Sequence, residues 1–128
     1  YPYLLDREKI SDSIEKIKPE IIVGHCIGAY WALKMSLLHQ IPCVIANPRL
    51  APDFRDDYPN INDTDLDHNV PQVAYLELGD ELIDMYAAQE ILENYMLIQT
   101  VEGGHHRLLK PENINQLIEH LEQQYLYK

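Results

Sequence analysis

The segment over residues 21–31 combines a reactive side chain with a backbone pattern that would present it for chemistry. An apolar triplet leads through Gly24-His25-Cys26-Ile27-Gly28 into a helical pattern, which predicts a strand, a sharp turn and a helix. Cys26 lies at the apex of this turn, in a nucleophile-elbow pattern that commonly has serine at its centre. The N–H groups of Ile27 and Gly28 open the helix, where partial positive charge favours a thiolate or an oxyanion. We therefore interpret Cys26 as a candidate nucleophile.

Asp80 and His106 each follow another predicted strand. The strand patterns over residues 73–78 and 96–101 end shortly before these two residues, and parallel strands bring their carboxyl ends to the same edge of a sheet. A nucleophile needs an imidazole to take its proton, and the imidazole needs an acid that holds its tautomer. The order Cys26, Asp80, His106 is the nucleophile, acid and base order of α/β-hydrolases.

The rest of the chain alternates helical and strand patterns that would position these residues. Helices are predicted over residues 7–17, 27–39 and 85–94 and after Pro111, and strands over residues 20–23, 42–46, 73–78 and 96–101. The segment 53–69 is rich in Asp, Asn and Pro and is predicted to be a polar loop or mobile lid. This succession predicts an α/β fold, a three-layer α/β/α sandwich around a parallel sheet.

Length and composition are typical of a single soluble domain. The 128 residues are 46% hydrophobic and 24% charged, without an apolar run long enough to cross a bilayer. The net charge of -11 disfavours binding to nucleic acid or to anionic membranes. The two cysteines do not make a disulfide framework, which fits a reducing compartment, and we expect the cytoplasm.

Each candidate residue also has a structural explanation. Cys26 could be a small core residue, although a position between two glycines at a turn is unusual for one. Asp80 could cap the helix that follows it, as could Asp84. One residue of the His105-His106 pair could be an ordinary loop side chain.

The sequence also contains two groups of residues of the types that commonly bind metal ions. The first combines residues of the elbow and of the last loop: His25, Cys26, His105 and His106. Its spacings match no structural zinc pattern. The second is the run Asp63, Asp65 and Asp67, which lacks the glycine and the closing glutamate of a calcium loop. We expect neither cluster to hold a metal.

Four segments together resemble the YqiA-like esterases, small members of the α/β-hydrolase superfamily. They are residues 22–32, Ala46-Asn47-Pro48, residues 79–84 and residues 101–106, and the resemblance spans nearly the whole chain. The resemblance implies a truncated α/β-hydrolase fold. It also implies hydrolysis of carboxylic esters or thioesters, without a cofactor, through a covalent acyl-enzyme.

The resemblance also implies site residues. By motif, Cys26 is the nucleophile, His106 the base and Asp80 the acid, with Asp84 as a reserve acid four residues on. The N–H of Ile27 would give one half of the oxyanion hole. The family has serine where this chain has Cys26, and it begins with a strand, a His-Gly loop, a helix and another strand. Nothing in this sequence corresponds to those first elements.

These observations lead to one expectation with one alternative. We expect a single α/β-hydrolase-like domain over residues 1–128, which lacks the family's N-terminal strand, helix and strand, and which hydrolyses a small-molecule acyl ester or thioester. The alternative is a catalytically inactive fragment or pseudoenzyme with a binding or scaffolding role. In either case we predict that the apolar strand over residues 21–23 lies at an exposed sheet edge, because the family's earlier strands would have paired with it, and self-association through this edge is possible.

Overall fold

A four-stranded parallel sheet lies at the centre of the computed structural model, which describes residues 3–126. Its strands are β1 (Ile22–His25), β2 (Cys43–Ala46), β3 (Gln72–Glu77) and β4 (Leu97–Val101). The strands lie side by side in chain order, and each pairs in parallel with the next. All four carboxyl ends therefore point to one edge of the sheet.

Helices cover both faces of this sheet. They are α1 (Tyr3–Ile17), α2 (Ile27–His39), α3 (Asp63–Leu66), α4 (Met85–Leu92) and α5 (Asn113–Leu121), and a π-helical turn over Glu122–Leu126 follows the last one. Three layers result, which confirms the predicted fold class. Among residues 3–126, no helix has the length and apolarity that crossing a bilayer requires.

The core divides into two sides because alternate side chains of a strand point to opposite faces. On one side, Cys43, Ile45 and Leu76 pack against α2, α3 and α4. On the other side, Val44 and Tyr75 pack against α5. A third cluster joins α1 to α2, where the Tyr3 ring stacks on the Trp31 ring with centroids 5.4 Å apart. This contact explains why α1 begins at Tyr3, four residues before the predicted start.

Strand β1 differs from its prediction in position and in burial. It runs from Ile22 to His25 rather than over residues 20–23, because Gly24 and His25 pair with β2. Its apolar residues 21–23 are typical of a strand that is buried on both faces, but β1 is not such a strand. Among the described strands β1 is an edge strand with alternating burial, and Val23 is 48% exposed.

Helix α3 lies within the segment that the sequence predicted as a loop or lid. A capping box begins it, since the Asn62 side chain accepts from the Asp65 N–H while the Asp65 carboxylate accepts from the Asn62 N–H. The Asp65 carboxylate also forms a largely buried ion pair with Lys34 of α2, with a nitrogen–oxygen distance of 2.9 Å. Part of the segment is therefore bound to the body of the protein.

Candidate active site

Cys26 forms the turn between β1 and α2 in a conformation that side chains rarely adopt. Its backbone angles are φ 59° and ψ -117°, and such strained residues persist only where their surroundings hold them. The Cys26 N–H donates to the Ala46 carbonyl at 3.1 Å, and the Cys26 carbonyl accepts from Ala29 and Arg49 at 3.1 Å each. Neighbouring segments thus hold the turn on both sides.

The two glycines of the elbow differ in how much space surrounds them. A Cβ atom at Gly24 would overlap the carbonyl of Gly28, so only glycine lets β1 and α2 approach this closely. A Cβ atom at Gly28 would meet nothing within 4 Å. Close packing of strand and helix therefore explains Gly24 but not Gly28.

The Cys26 thiol lies half-buried at the start of α2. It makes no hydrogen bond with any other residue in the range 3–126. Ile27 is the first residue of α2, so its N–H has no acceptor within the helix and is available to an oxyanion. The thiol and a backbone donor therefore lie side by side, as the elbow pattern predicts.

The structure brings Asp80 and His106 together. The Asp80 Oδ2 atom lies 2.9 Å from His106 Nδ1, with the Asp80 side chain fully buried and that of His106 21% exposed. The other carboxylate oxygen accepts from the N–H groups of Leu82 and Ile83 at 2.8 and 3.0 Å. Among residues 3–126, His106 Nε2 has no hydrogen-bond partner, so it can accept a proton.

Several hydrogen bonds keep Asp80 ionised. Burial alone would raise the pKa of Asp80, but the His106 ring, the Leu82 N–H and the Asn47 side chain outweigh it and lower the pKa below its ordinary value. An ionised carboxylate only accepts, so Nδ1 of His106 carries the proton. This tautomer leaves Nε2 as the basic atom.

Asp84, the reserve acid, has a different position. It is the N-cap of α4, where its carboxylate accepts from the Ala87 N–H at 3.1 Å. This is the capping role that the sequence left open for both aspartates. The structure places Asp80, not Asp84, on the His106 ring.

The elbow and the loop of His106 contact each other through His25. The His25 Nε2 donates to the His106 carbonyl at 2.8 Å, and the two imidazole rings lie 5.3 Å apart between centroids. His105 has another partner, since its Nδ1 lies 3.2 Å from Glu81 Oε2 and its side chain is 59% exposed. His25, the residue before Cys26, thus links the elbow to the loop that carries His106.

Sequence reasoning missed two buried residues, Asn47 and Glu77. Asn47 Nδ2 donates to Asp80 Oδ2 at 3.0 Å and to the Glu77 carbonyl at 3.2 Å, while Asn47 Oδ1 accepts from the Glu77 N–H. Its φ of 40° is one that Asn tolerates better than most residues. The signals were present, because Asn47 directly follows a strand and Glu77 is a charged residue inside an apolar one.

A cavity of about 260 Å³ is lined by Pro48 and Arg49, the two residues that follow Asn47. Its walls come from the loop after β2, from α4 and from the segment before α4, and they are mainly apolar: Leu50, Ala51, Leu82, Ile83, Ala87, Ala88 and Ile91. Arg49 and Ile83 line it too, and their N–H groups bond the Cys26 carbonyl and the Asp80 carboxylate. The cavity is therefore next to residues that are hydrogen-bonded to Cys26 and Asp80, whereas Cys26, Asp80 and His106 do not line it themselves.

Two carboxylates of the Asp63, Asp65 and Asp67 run contact other parts of the protein. Across residues 3–126, no three or more His, Cys, Asp or Glu side chains are arranged to hold a metal ion. Asp63 accepts from the Tyr95 hydroxyl at 2.8 Å, and Asp65 is paired with Lys34. These carboxylates serve contacts within the fold.

Comparisons with known proteins agree on the architecture. The chain is similar to the esterase domain of a Rhodothermus marinus protein (12% identity, TM-score 0.72), covering 96% of this chain and 69% of that one. A Xanthomonas campestris structure described as a hydrolase of the alpha/beta superfamily has 18% identity and a TM-score of 0.69, with 92% and 66% covered. The alpha/beta hydrolase MGS-MChE2, from a lagoon-sediment metagenome, has 15% identity and a TM-score of 0.67, with 92% and 68% covered.

These likenesses concern the fold, because all the identities are low. The chain spans about two thirds of the length of these three structures. No protein-family model matches the sequence, and no curated protein matches it significantly. The parallel sheet, its helical layers and these structural neighbours together show that the chain has an α/β-hydrolase-like fold.

Proposed function

We propose that the protein is an acyl hydrolase that cleaves a carboxylic ester or thioester through an acyl-enzyme on Cys26. The observation that carries this proposal is the Asp80–His106 hydrogen bond of 2.9 Å, on a loop bound to the elbow by His25. A buried acid, an imidazole with a free Nε2 and a strained cysteine are the parts of a nucleophilic triad.

Each residue then has a defined step. His106 Nε2 takes the thiol proton as Cys26 Sγ attacks the substrate carbonyl carbon, and the Ile27 N–H donates to the resulting oxyanion. The tetrahedral intermediate collapses, and the leaving alcohol or thiol receives the proton from His106. Water then attacks the thioester with His106 as base, which releases the carboxylic acid and restores the thiol. Asp80 stabilises the imidazolium that forms in both halves.

The cavity of about 260 Å³ is our candidate site for the acyl group. Its mainly apolar walls suit a hydrocarbon chain, and it borders the segments that hold Cys26 and Asp80. Asp53, the first residue of the 53–69 segment, also lines it. We propose further that the protein is a cytoplasmic esterase of the YqiA-like type with cysteine in place of serine, and the ester or thioester substrate class rests on that resemblance.

The test is to trap the acyl-enzyme. Incubation with a p-nitrophenyl ester and peptide mass mapping should find the acyl mass on the Cys26 peptide and not on the Cys43 peptide. Cys43 is an internal control, because burial raises the pKa of its thiol to about 12. Cys26→Ala should remove the adduct and the turnover. If folded protein gives rapid alkylation of Cys26 but no adduct and no turnover, the proposal is wrong.

The same experiment separates two further interpretations. A pseudoenzyme is favoured by one observation, the absence of any hydrogen bond between the Cys26 thiol and other residues from 3 to 126. Alkylation without acylation would support it. Cys26→Ser should also be measured, because a gain of esterase activity would mark the cysteine as a disabling replacement and a loss would mark it as the native nucleophile.

We also propose that the β1 edge supports self-association. The strand offers unpaired backbone groups and the partly exposed Val23, which favour pairing with another strand. Sedimentation should show a concentration-dependent dimer that Val23→Lys weakens. Leu97→Lys, on the strand at the opposite edge, is the matched control. A monomer at all concentrations would contradict the proposal.

A further inference from the structure

We infer that Glu77 is a positioning residue, whose buried carboxylate holds the His106 loop against the end of β3. The inference rests on the proposed function, since it concerns the loop that carries the proposed base. Glu77 is fully buried, although a carboxylate is seldom buried without partners. Its carboxylate partners are neutral donors from the chain itself.

The Glu77 carboxylate binds the part of the loop that follows His106. Glu77 Oε1 accepts from the Leu109 N–H at 2.9 Å, and Oε2 accepts from the Lys110 N–H at 2.9 Å. The Tyr75 hydroxyl donates to Oε2 at 2.8 Å. The Glu77 side chain thus accepts hydrogen bonds from two successive backbone N–H groups of the loop.

The part of the loop that precedes His106 also lies against Glu77 and the residues after it. Gly104 lies so close that a Cβ atom there would overlap Glu77 Oε1, and its φ of 83° favours glycine as well. The Gly79 N–H donates to the Gly103 carbonyl at 2.6 Å. His106 therefore lies between two attachments, both at the end of β3.

The same strand end also carries the acid. Asn47 binds the backbone N–H and carbonyl of Glu77 and donates to the Asp80 carboxylate. The Asp80 carboxylate thus orients the His106 ring. The Glu77 carboxylate, three residues earlier in the chain, positions the backbone of the loop that carries this ring. A shift of this loop would lengthen the 2.9 Å bond between His106 and Asp80.

The inference needs Glu77 in its ionised form. Burial raises the pKa of Glu77, but the N–H groups of Leu109 and Lys110 and the Tyr75 hydroxyl outweigh it, so that the pKa lies below its ordinary value. Glutamine has nearly the same shape, but its NH2 group would face a donor. Glu77→Gln therefore perturbs the loop contacts and removes no volume.

The first measurement is steady-state kinetics with a p-nitrophenyl ester. Glu77→Gln should lower kcat by about tenfold to 100-fold, because a misplacement near 1 Å at a catalytic group has effects of that size. KM should stay within about twofold, since the acyl cavity is untouched. Glu102→Gln is the matched control, with the same chemical change at an exposed residue preceding the loop, and it should leave both constants unchanged.

The second measurement does not depend on turnover. Proton NMR should show a low-field signal from the His106 Nδ1–H bonded to Asp80, assigned by its loss in His106→Ala. Glu77→Gln should shift or broaden this signal, whereas Glu102→Gln should not. If the wild type shows the signal and its Glu77 dependence but no hydrolysis, the proposed function fails and the positioning role stands.

A folded Glu77→Gln protein with wild-type kcat and an unchanged signal would overturn the inference. Should Glu77→Gln fail to fold, Tyr75→Phe decides, because it removes one donor and keeps the carboxylate. We expect the His106 signal to broaden in Tyr75→Phe and kcat to fall several-fold, by about 3-fold to 10-fold. An unchanged signal and kcat in that variant would overturn the inference equally.

Discussion

Two adjacent histidines of the last loop have opposite surroundings. The His106 ring is hydrogen-bonded to the buried Asp80, whereas the His105 ring is mostly exposed beside Glu81. Only His106 thus has an acid that is fully buried and held by further donors. A one-residue step along the loop separates a candidate base from a surface side chain.

We therefore expect different effects from their substitution. His106→Ala should lower kcat for a p-nitrophenyl ester by about 10²-fold or more, because it removes the proton acceptor. His105→Ala should change kcat by less than about threefold, since it loses only an exposed contact. Both variants should first be shown to be folded by circular dichroism. Loss of turnover in His105→Ala with full turnover in His106→Ala would reverse the assignment.

The sequence predicted which residue types gather at the sheet edge, but not all of their contacts. The positions of Cys26, Asp80 and His106 follow from strand ends in a parallel sheet. The burial of Glu77 could not be predicted in the same way, because its donors at Leu109 and Lys110 lie more than 30 residues away in the chain. Local patterns carry no information about such pairings.

At the scale of elements, one ion pair attaches α3 to α2. Lys34 and Asp65 are both largely buried, and Asp65 also caps its own helix. Removing one partner of a buried pair leaves an uncompensated charge, which usually costs more than the pair contributes. The position of α3 against α2 therefore depends on Lys34.

We expect Lys34→Met to lower the free energy of unfolding by about 3 kcal/mol. Lys16→Met, the same change at an exposed position of α1, should stay within about 0.5 kcal/mol of the wild type. Urea denaturation followed by tryptophan fluorescence measures both, since Trp31 is the single tryptophan. Equal stabilities of the two variants would show that the buried pair is not holding α3.

The elements differ in how well the sequence predicts them. Helix α2 has the predicted bounds because its apolar residues recur at helical spacing and Cys26 precedes it at the turn. Strand β1 was misplaced by two residues, since its glycine and histidine look like turn residues but pair with β2. Helix α3 is only four residues long, too short for any periodicity.

At the scale of the whole molecule, acid should destabilise the fold through its buried carboxylates. The pKa values of Glu77 and Asp80 are lowered in the folded state. Each group therefore contributes stability that is fully present above its ordinary pKa, and that is lost as the pH falls through the lowered folded value. The expected window lies below about pH 4.5.

Urea denaturation at a series of pH values from about 7 to 3 checks this expectation. The free energy of unfolding of the wild type should fall steeply in the acid range. Glu77→Gln should give a flatter curve, because one of the linked protons is gone, and Glu102→Gln should keep the wild-type slope. Identical slopes for wild type and Glu77→Gln would contradict the contribution of Glu77.

The order of the four strands has a consequence for how the protein is made. Each strand lies beside the one that precedes it in the chain, so a growing polypeptide can add strands outward from β1 as they leave the ribosome. The segment that carries Cys26 is synthesised early, whereas His106 follows β4 and is synthesised after it. The proposed pair of Cys26 thiol and His106 imidazole can therefore form only after all four strands have been synthesised.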